Sequence, residues 1–258
     1  MDRPTRRHAD REAEAAGPQQ ASLRVATPPT LRHQIVERLK EAIELGQFLP
    51  GARLIDRELC ERMGVSRTSI REAMRELEAA GLITTLPNKG SIVSVVTPEM
   101  ARSIYETRAV LEGLAARLFA RRASSEQIAG LKKTVDELAA VYTNYTPQGM
   151  MRAKTAFYGI LLEGCGNPIV ADMLRIIHTR VSQLRATSHS NPSRAKQSIA
   201  EIREMVAALE TRDAEAAWHK CVRHIENAAD AALAVLAAQQ SPKSGQGKTP
   251  ARKKPRKS

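Results

Sequence analysis

Arg67, Arg71 and Arg75 recur every four residues within the stretch 64–77, and Ser66, Thr68 and Ser69 stand beside the first of them. That spacing lines three guanidinium groups along one flank of a helix. A guanidinium offers a planar fork of donors that fits guanine O6 and N7 with two bonds at once, while neighbouring hydroxyls suit phosphate oxygens. The chemistry open to this set is recognition through hydrogen bonds and charge, not bond making. An Arg-rich flank by itself also fits a helix that merely faces solvent, so the surrounding elements must decide.

Ser66 is a good N-cap for this helix, since its hydroxyl can accept from an orphan amide of the first turn. Val65 and Ile70 are spaced for a hydrophobic staple. Ile70, Ala73, Met74 and Leu77 form an apolar stripe. Upstream, Thr30 is expected to cap a helix with Leu31, Ile35, Leu39, Ala42 and Ile43 on its apolar face, ended by Gly46. Pro50-Gly51 marks a turn and Arg53-Leu54-Ile55 a short extended piece. Asp56 is then expected to cap a short helix, residues 57–63, that buries Leu59, Cys60 and Met63. Downstream, Gly81 stops the Arg-bearing helix. Residues 82–86 and 91–96 have strand composition and are joined by Pro87-Asn88-Lys89-Gly90, which predicts a β-hairpin. The assembly over residues 29–97 reads as a winged helix-turn-helix whose second helix enters a major groove. Lys89, beside Gly90 at the hairpin tip, suits close approach to a phosphate or a minor groove.

The segments Pro50-Gly51-Ala52-Arg53-Leu54, Arg57-Glu58-Leu59, 64–77, Gly81-Leu82-Ile83 and Lys89-Gly90 resemble the GntR family of bacterial transcription regulators. The resemblance implies that Arg57, Arg67, Arg71 and Gly90 contact DNA, helped by the hydroxyls of Ser66, Thr68 and Ser69. Net charge alone would not have pointed there, because residues 29–97 hold ten basic and nine acidic side chains. Placement carries the signal.

From Pro98 the pattern changes to long amphipathic helices, expected at 98–122, 125–144, 149–165, 168–189, 193–211 and 213–238. Ser124, Asn167-Pro168 and Asp213 supply start signals. No strand pattern appears, so the fold class is mainly α: an N-terminal winged helix-turn-helix followed by an all-helical bundle over 98–240. The stretch 105–112, and Phe157 through Gly166-Asn167-Pro168, are similar to the FCD effector domain of FadR-type GntR regulators, in its six-helix VanR-type form.

Many FCD domains hold a divalent metal with one Asp and three His. The positions that match them here are Lys154, Tyr158, Ile202 and His224, and only the last is a metal-binding side chain. No metal or other cofactor is therefore expected. In its place Lys154, helped by Arg108, could hold a carboxylate effector, with Tyr158 and His224 donating hydrogen bonds. The plain alternative is a solvent-facing Lys154, a core Tyr158 and a satisfied buried His224. His178, His189 and His219 have no partners at catalytic spacing, and no nucleotide loop or nucleophile elbow occurs. Nothing points to an enzyme.

With 42% hydrophobic residues but only eight aromatic ones, the core must be mainly aliphatic. The charge of +12 sits largely at the ends: residues 241–258 carry seven Lys or Arg and no acid. This basic tail and the polar arm 1–28 are too polar to pack and are expected to be disordered. The tail either solubilises the chain or adds an electrostatic grip on DNA. Three scattered cysteines fit a reduced cytoplasmic protein better than a disulfide or zinc scaffold. No stretch is apolar and long enough to span a bilayer. Together with the resemblance, these features imply a homodimeric repressor on a palindromic double-stranded operator, tuned by a small organic acid and without membrane contact. A metal-sensing regulator and an effector-free architectural DNA-binding protein stand as rivals.

Overall fold

The computed structural model describes residues 30–188 and 192–240. The expected arm, basic tail and His189 lie outside them. Three helices and three short strands come first: α1 (Leu31–Glu44), β1 (Arg53–Leu54), α2 (Asp56–Met63), α3 (Arg67–Ala79), β2 (Ile83–Leu86) and β3 (Gly90–Val93). Six helices follow: α4 (Pro98–Arg122), α5 (Ser125–Thr143), α6 (Pro147–Gly164), α7 (Pro168–Ser188), α8 (Pro192–Glu210) and α9 (Ala214–Gln240). This is a winged helix-turn-helix joined to an all-helical bundle, and the six later helices lie within a residue or two of their expected spans.

The N-terminal part closes around Ile35, Val36, Leu39 and Ile43 of α1, Leu59 of α2 and the α3 stripe. Leu31 was expected on the buried face of α1 but is 52% exposed, and Val36 takes its place. The contact with α3 follows the 35–36–39–43 face, one turn further along the helix than Leu31. Cys60 and Met63 are only half-buried, because α2 is short and presses mainly Leu59 inward. The antiparallel sheet has the order β1-β3-β2, with Arg53 opposite Ile92 and Thr84 opposite Ile92 on the other side. The extended piece before α2 is thus the third strand of the wing. β3 stops at Val93, short of the expected Val96, and Val95 is exposed.

Local signals set the ends of the helices. Ser66 and Thr97 accept from Ser69 and Met100 amides, and Ser124 with Gln127 completes a capping box. The Asn167 carboxamide accepts from the Ile169 and Val170 amides, and Asp213 accepts from the Ala216 amide. At the end of α3 the Leu82 amide reaches Leu77 and the Gly81 amide reaches Glu78, with Gly81 at φ +77°. This paired closure needs a left-handed residue at Gly81.

The bundle is built around α4, which packs most extensively on α9. Gly113 permits this close approach, since a Cβ there would lie 2.9 Å from Val222 and 3.1 Å from Trp218. One aliphatic core gathers around Phe119, Leu131, Leu161 and Leu209. A second unites Ala101, Ile104 and Tyr105 of α4 with Val181 and Leu184 of α7 and Ile225 of α9. Both cores border the same cavity.

Candidate nucleic-acid interface and helical-domain cavity

The stripe Ile70, Ala73, Met74 and Leu77 is fully buried and fixes the rotation of α3. Arg67, Thr68, Arg71 and Arg75 consequently face outward. The Ser66 hydroxyl accepts from the Ser69 amide at 3.2 Å and lies 3.0 Å from the Ser69 hydroxyl, so both are gathered at the helix start. Val65 packs against the core that contains Ile70, which completes the staple.

Asp56 does not cap α2. Ile55 occupies the cap position without a side-chain bond, and the Asp56 carboxylate instead accepts from Arg71 Nε at 3.0 Å. A nearby guanidinium out-competes α2's own amides for that carboxylate, because a charge-assisted bond is stronger than a neutral one. Arg57, on α2, stands 3.6 Å from Glu61. Arg67 and Arg75 have no ion-pair partner among the described residues. Lys89 is exposed at the wing tip, and its carbonyl accepts from Arg53 Nη2 at 2.5 Å. Arg53 therefore braces the turn that presents Lys89 and Gly90, a role that spacing did not reveal.

In the bundle, all four positions singled out for an effector line one cavity of about 70 Å³: Arg108 from α4, Lys154 and Tyr158 from α6, and His224 from α9. Ile202 lines it as well, so every position aligned with a metal ligand faces the same space. At about 30 Å³ per water in the liquid, that volume corresponds to about two water molecules.

Two ion-pair clusters frame the cavity. In the first, Arg108 Nε donates to Glu112 at 2.5 Å and Arg108 Nη2 to the Tyr158 hydroxyl at 2.7 Å. Tyr158 in turn donates to Glu112 at 3.2 Å, and His178 Nε2 lies 2.8 Å from the same carboxylate. Burial opposes ionisation of Glu112, but Arg108 and the His178 hydrogen bond outweigh it and hold the carboxyl well below the usual carboxylate range. Arg108 was expected to help Lys154 as a positive centre. That expectation needs correction, because Glu112 neutralises Arg108 at contact distance. The Tyr158 hydroxyl is likewise committed to Glu112.

In the second cluster Arg194 grips Glu201 with three bonds of 3.0 Å. His224 Nδ1 lies 2.7 Å from Glu201, and Asn227 donates to it at 2.8 Å. Burial resists ionisation of Glu201, yet the bonds from His224, Arg194 and Asn227 bring its pKa down to about 2. Burial also lowers His224 below its ordinary value, against the pull of Glu201. His224 is therefore neutral near pH 7. Lys154 adds an ammonium to the same lining.

Sequence reasoning missed Glu112, His178, Arg194 and Glu201 as members of this site. Arg108 and Glu112 are four residues apart, and Arg194 and Glu201 seven, so both pairs carried a helical signal. His178 had none, being 66 residues from Glu112.

A winged-helix head with outward guanidinium groups, carried by a helical bundle with a pocket lined by both charged and apolar side chains, defines a DNA-binding transcriptional regulator with a ligand-type domain. Residues 31–93 match the bacterial regulatory proteins of the gntR family, and residues 103–227 match the FCD domain. The chain belongs to the GntR family and carries an FCD domain; the family comprises transcription regulators, not enzymes. It is 28% identical to the HTH-type regulator YdhC of Bacillus subtilis, over 75% of this chain and 87% of the relative. It is 24% identical to the Escherichia coli regulator McbR over 76% of this chain and 89% of McbR. The E. coli galactonate operon transcriptional repressor is also 24% identical, over 71% and 89% of the two chains. The solved structure of McbR shares the fold with a TM-score of 0.70, covering 81% of this chain and 98% of that one. No described helix is long and apolar enough to cross a membrane.

Both perturbed groups of the second cluster give the same sign of pH dependence. The contribution of ionised Glu201 is present above pH 4.5 and is lost as pH falls toward 2. Neutral His224 loses stability earlier, as pH falls below 6.5 and the unfolded chain takes up the proton first. Denaturant titrations should show stability decreasing from about pH 7 downward, and His224→Gln should remove the part of the decline over the interval just below pH 6.5. A wild-type profile flat over that interval would contradict the assignment.

Proposed function

We propose that this chain is a homodimeric repressor that reads a palindromic double-stranded operator, and that a small organic acid in the helical-domain cavity weakens its grip. The convergence of Arg108, Lys154, Tyr158 and His224 on one pocket supports the effector assignment above all. Arg108 and Arg194 each hold a carboxylate of their own, and Lys154 brings an ammonium to the same lining for a visiting anion. His224 gives its Nδ1–H to Glu201, so the neutral ring leaves Nε2 as an acceptor, which suits a hydroxyl of an effector and not its carboxylate oxygens; the donor role expected of His224 is corrected accordingly. An ammonium, a phenol, an isoleucine and one imidazole are a poor donor set for a divalent metal. We therefore take the effector to bind without metal or other cofactor, and the metal-sensing rival is disfavoured.

On the DNA side, Arg67, Arg71 and Arg75 read base edges or phosphates from α3, while Ser66, Thr68 and Ser69 hold phosphates near its start. Arg57 and the wing tip, Lys89 and Gly90, flank them. Asp56 holds Arg71 through Nε, leaving both Nη groups directed outward for a two-bond contact. One head covers too few base pairs for genomic selectivity, so two heads on a two-fold site are required. Ile169, Met173 and Ile176, spaced on one face of α7 and each at least half exposed, suit burial against a second copy. The likeness to the galactonate operon repressor supports repression as the direction of control, and the bacterial regulator family a cytoplasmic location.

Arg71→Ala should cost about 1–3 kcal/mol on the operator and relax base choice, as read by competition with random DNA. Equal weakening on both DNAs would reduce Arg71 to a phosphate contact. A thermal-shift screen of small mono- and dicarboxylates should raise the melting temperature of the wild type, and Lys154→Ala should abolish that shift. Stabilisation retained in the variant would sink the role given to Lys154. Met173→Lys should leave a folded monomer in sedimentation, whereas an intact dimer would move the interface elsewhere.

A further inference from the structure

We propose that Arg180 is the positioning residue that ties the recognition helix α3 to the cavity network, with α7 as the rigid link between them. The inference rests on reading α3 as the DNA-contacting helix and the bundle cavity as the effector site.

At one end of the link, Arg180 Nε donates to the Ala80 carbonyl at 3.1 Å. Ala80 is the C-cap of α3, so a cation closes the negative end of the helix that carries Arg67, Arg71 and Arg75. The guanidinium lies over Gly81, where an added Cβ would come within 2.8 Å of Nε. This contact joins residues 100 apart in the chain. It is a bond from the bundle to the backbone of α3 itself, which moves or stays as a unit with its side chains.

At the other end, His178 lies 2.8 Å from Glu112, and its ring centroid is 4.1 Å from that of Tyr158. His178 and Arg180 are two residues apart, so they leave α7 in directions about 200° apart. One thus looks toward the cavity cluster while the other looks toward the DNA head. On either side of them in the chain Ile177, Val181 and Leu184 anchor α7 against α4 and α9. A helix held along such a stripe shifts or rotates as a body, because packed cores are poorly compressible.

A ligand that pulls on Arg108 or Tyr158 must redistribute their bonds to Glu112, and Glu112 is shared with His178. Displacement of His178 turns α7, and Arg180 carries that turn to the end of α3. Without Arg180 the cavity and the head still exist, but the direct bond between α7 and the α3 cap is gone.

Four full-length proteins test this: wild type, Tyr158→Phe, Arg180→Ala and the double variant. Removing the Tyr158 hydroxyl perturbs the cavity cluster without any effector. Two quantities are read, namely amide exchange of Ala80, Gly81 and Leu82 in the free protein and Kd for a selected operator. With Arg180 present, Tyr158→Phe should speed exchange and shift Kd by about fivefold each; in the Arg180→Ala background it should change either by less than about 1.5-fold. Arg180→Lys, which keeps charge and reach, should restore part of the coupling. Equal effects of Tyr158→Phe in both backgrounds, or none in either, would overturn the proposal. Exchange needs no DNA, so it decides the role of Arg180 even if the wild type shows no preferred site, a result that would instead refute the DNA reading. Should Arg180→Ala fail to fold, Arg180→Gln takes its place in the cycle.

Discussion

Glu112 is an ionised carboxylate with 2% of its surface exposed, at the middle of the helix on which the bundle is built. Moving such a charge out of water costs several kcal/mol, which only close partners can offset. Arg108, one turn earlier, supplies the opposite charge, and Tyr158 and His178 fill remaining hydrogen-bonding positions. Those three partners come from α4, α6 and α7. The requirement that Glu112 be satisfied therefore fixes how three helices meet. It also fixes a wall of the cavity, because Glu112 and two of its partners, Arg108 and Tyr158, line the space.

The second pair, Arg194 with Glu201, repeats the arrangement on α8 and α9. There the carboxylate collects a guanidinium fork, an imidazole and a carboxamide. Two closed pairs facing one cavity have a consequence for recognition. Each arginine already has a carboxylate at contact distance, so neither stands in the lining as an open charge. Any guest that disturbed these pairs would leave a buried charge uncompensated, which is costly.

The head solves a different problem. Its ten basic and nine acidic residues nearly cancel, yet a duplex surface must meet positive charge. The buried stripe of α3 turns Arg67, Arg71 and Arg75 to one outward flank, while Glu76 and Glu78 are engaged elsewhere, with Arg32 and the Thr85 amide. Asp56 is the exception, an acid held against Arg71. An exposed pair of this kind adds little stability, and its effect is on the direction of the guanidinium.

Much of this was legible from residue order alone. The caps at Ser66, Ser124, Asn167 and Asp213, the α3 stripe, the wing and the spans of six long helices all follow from local preferences and a 3.6-residue period. The four residues that meet in the cavity were legible too, through family-like positions around Phe157 and Gly166-Asn167-Pro168. What the order of residues left open was which charge faces which. Asp56 read as a helix cap and became the partner of Arg71; Arg108 read as an open cation and proved neutralised; His178 read as solitary and proved joined to Glu112. Helical spacing reports neighbours within a turn or two, whereas an ionised group settles its partner through space, by desolvation and Coulomb energy that exist only after the helices have packed.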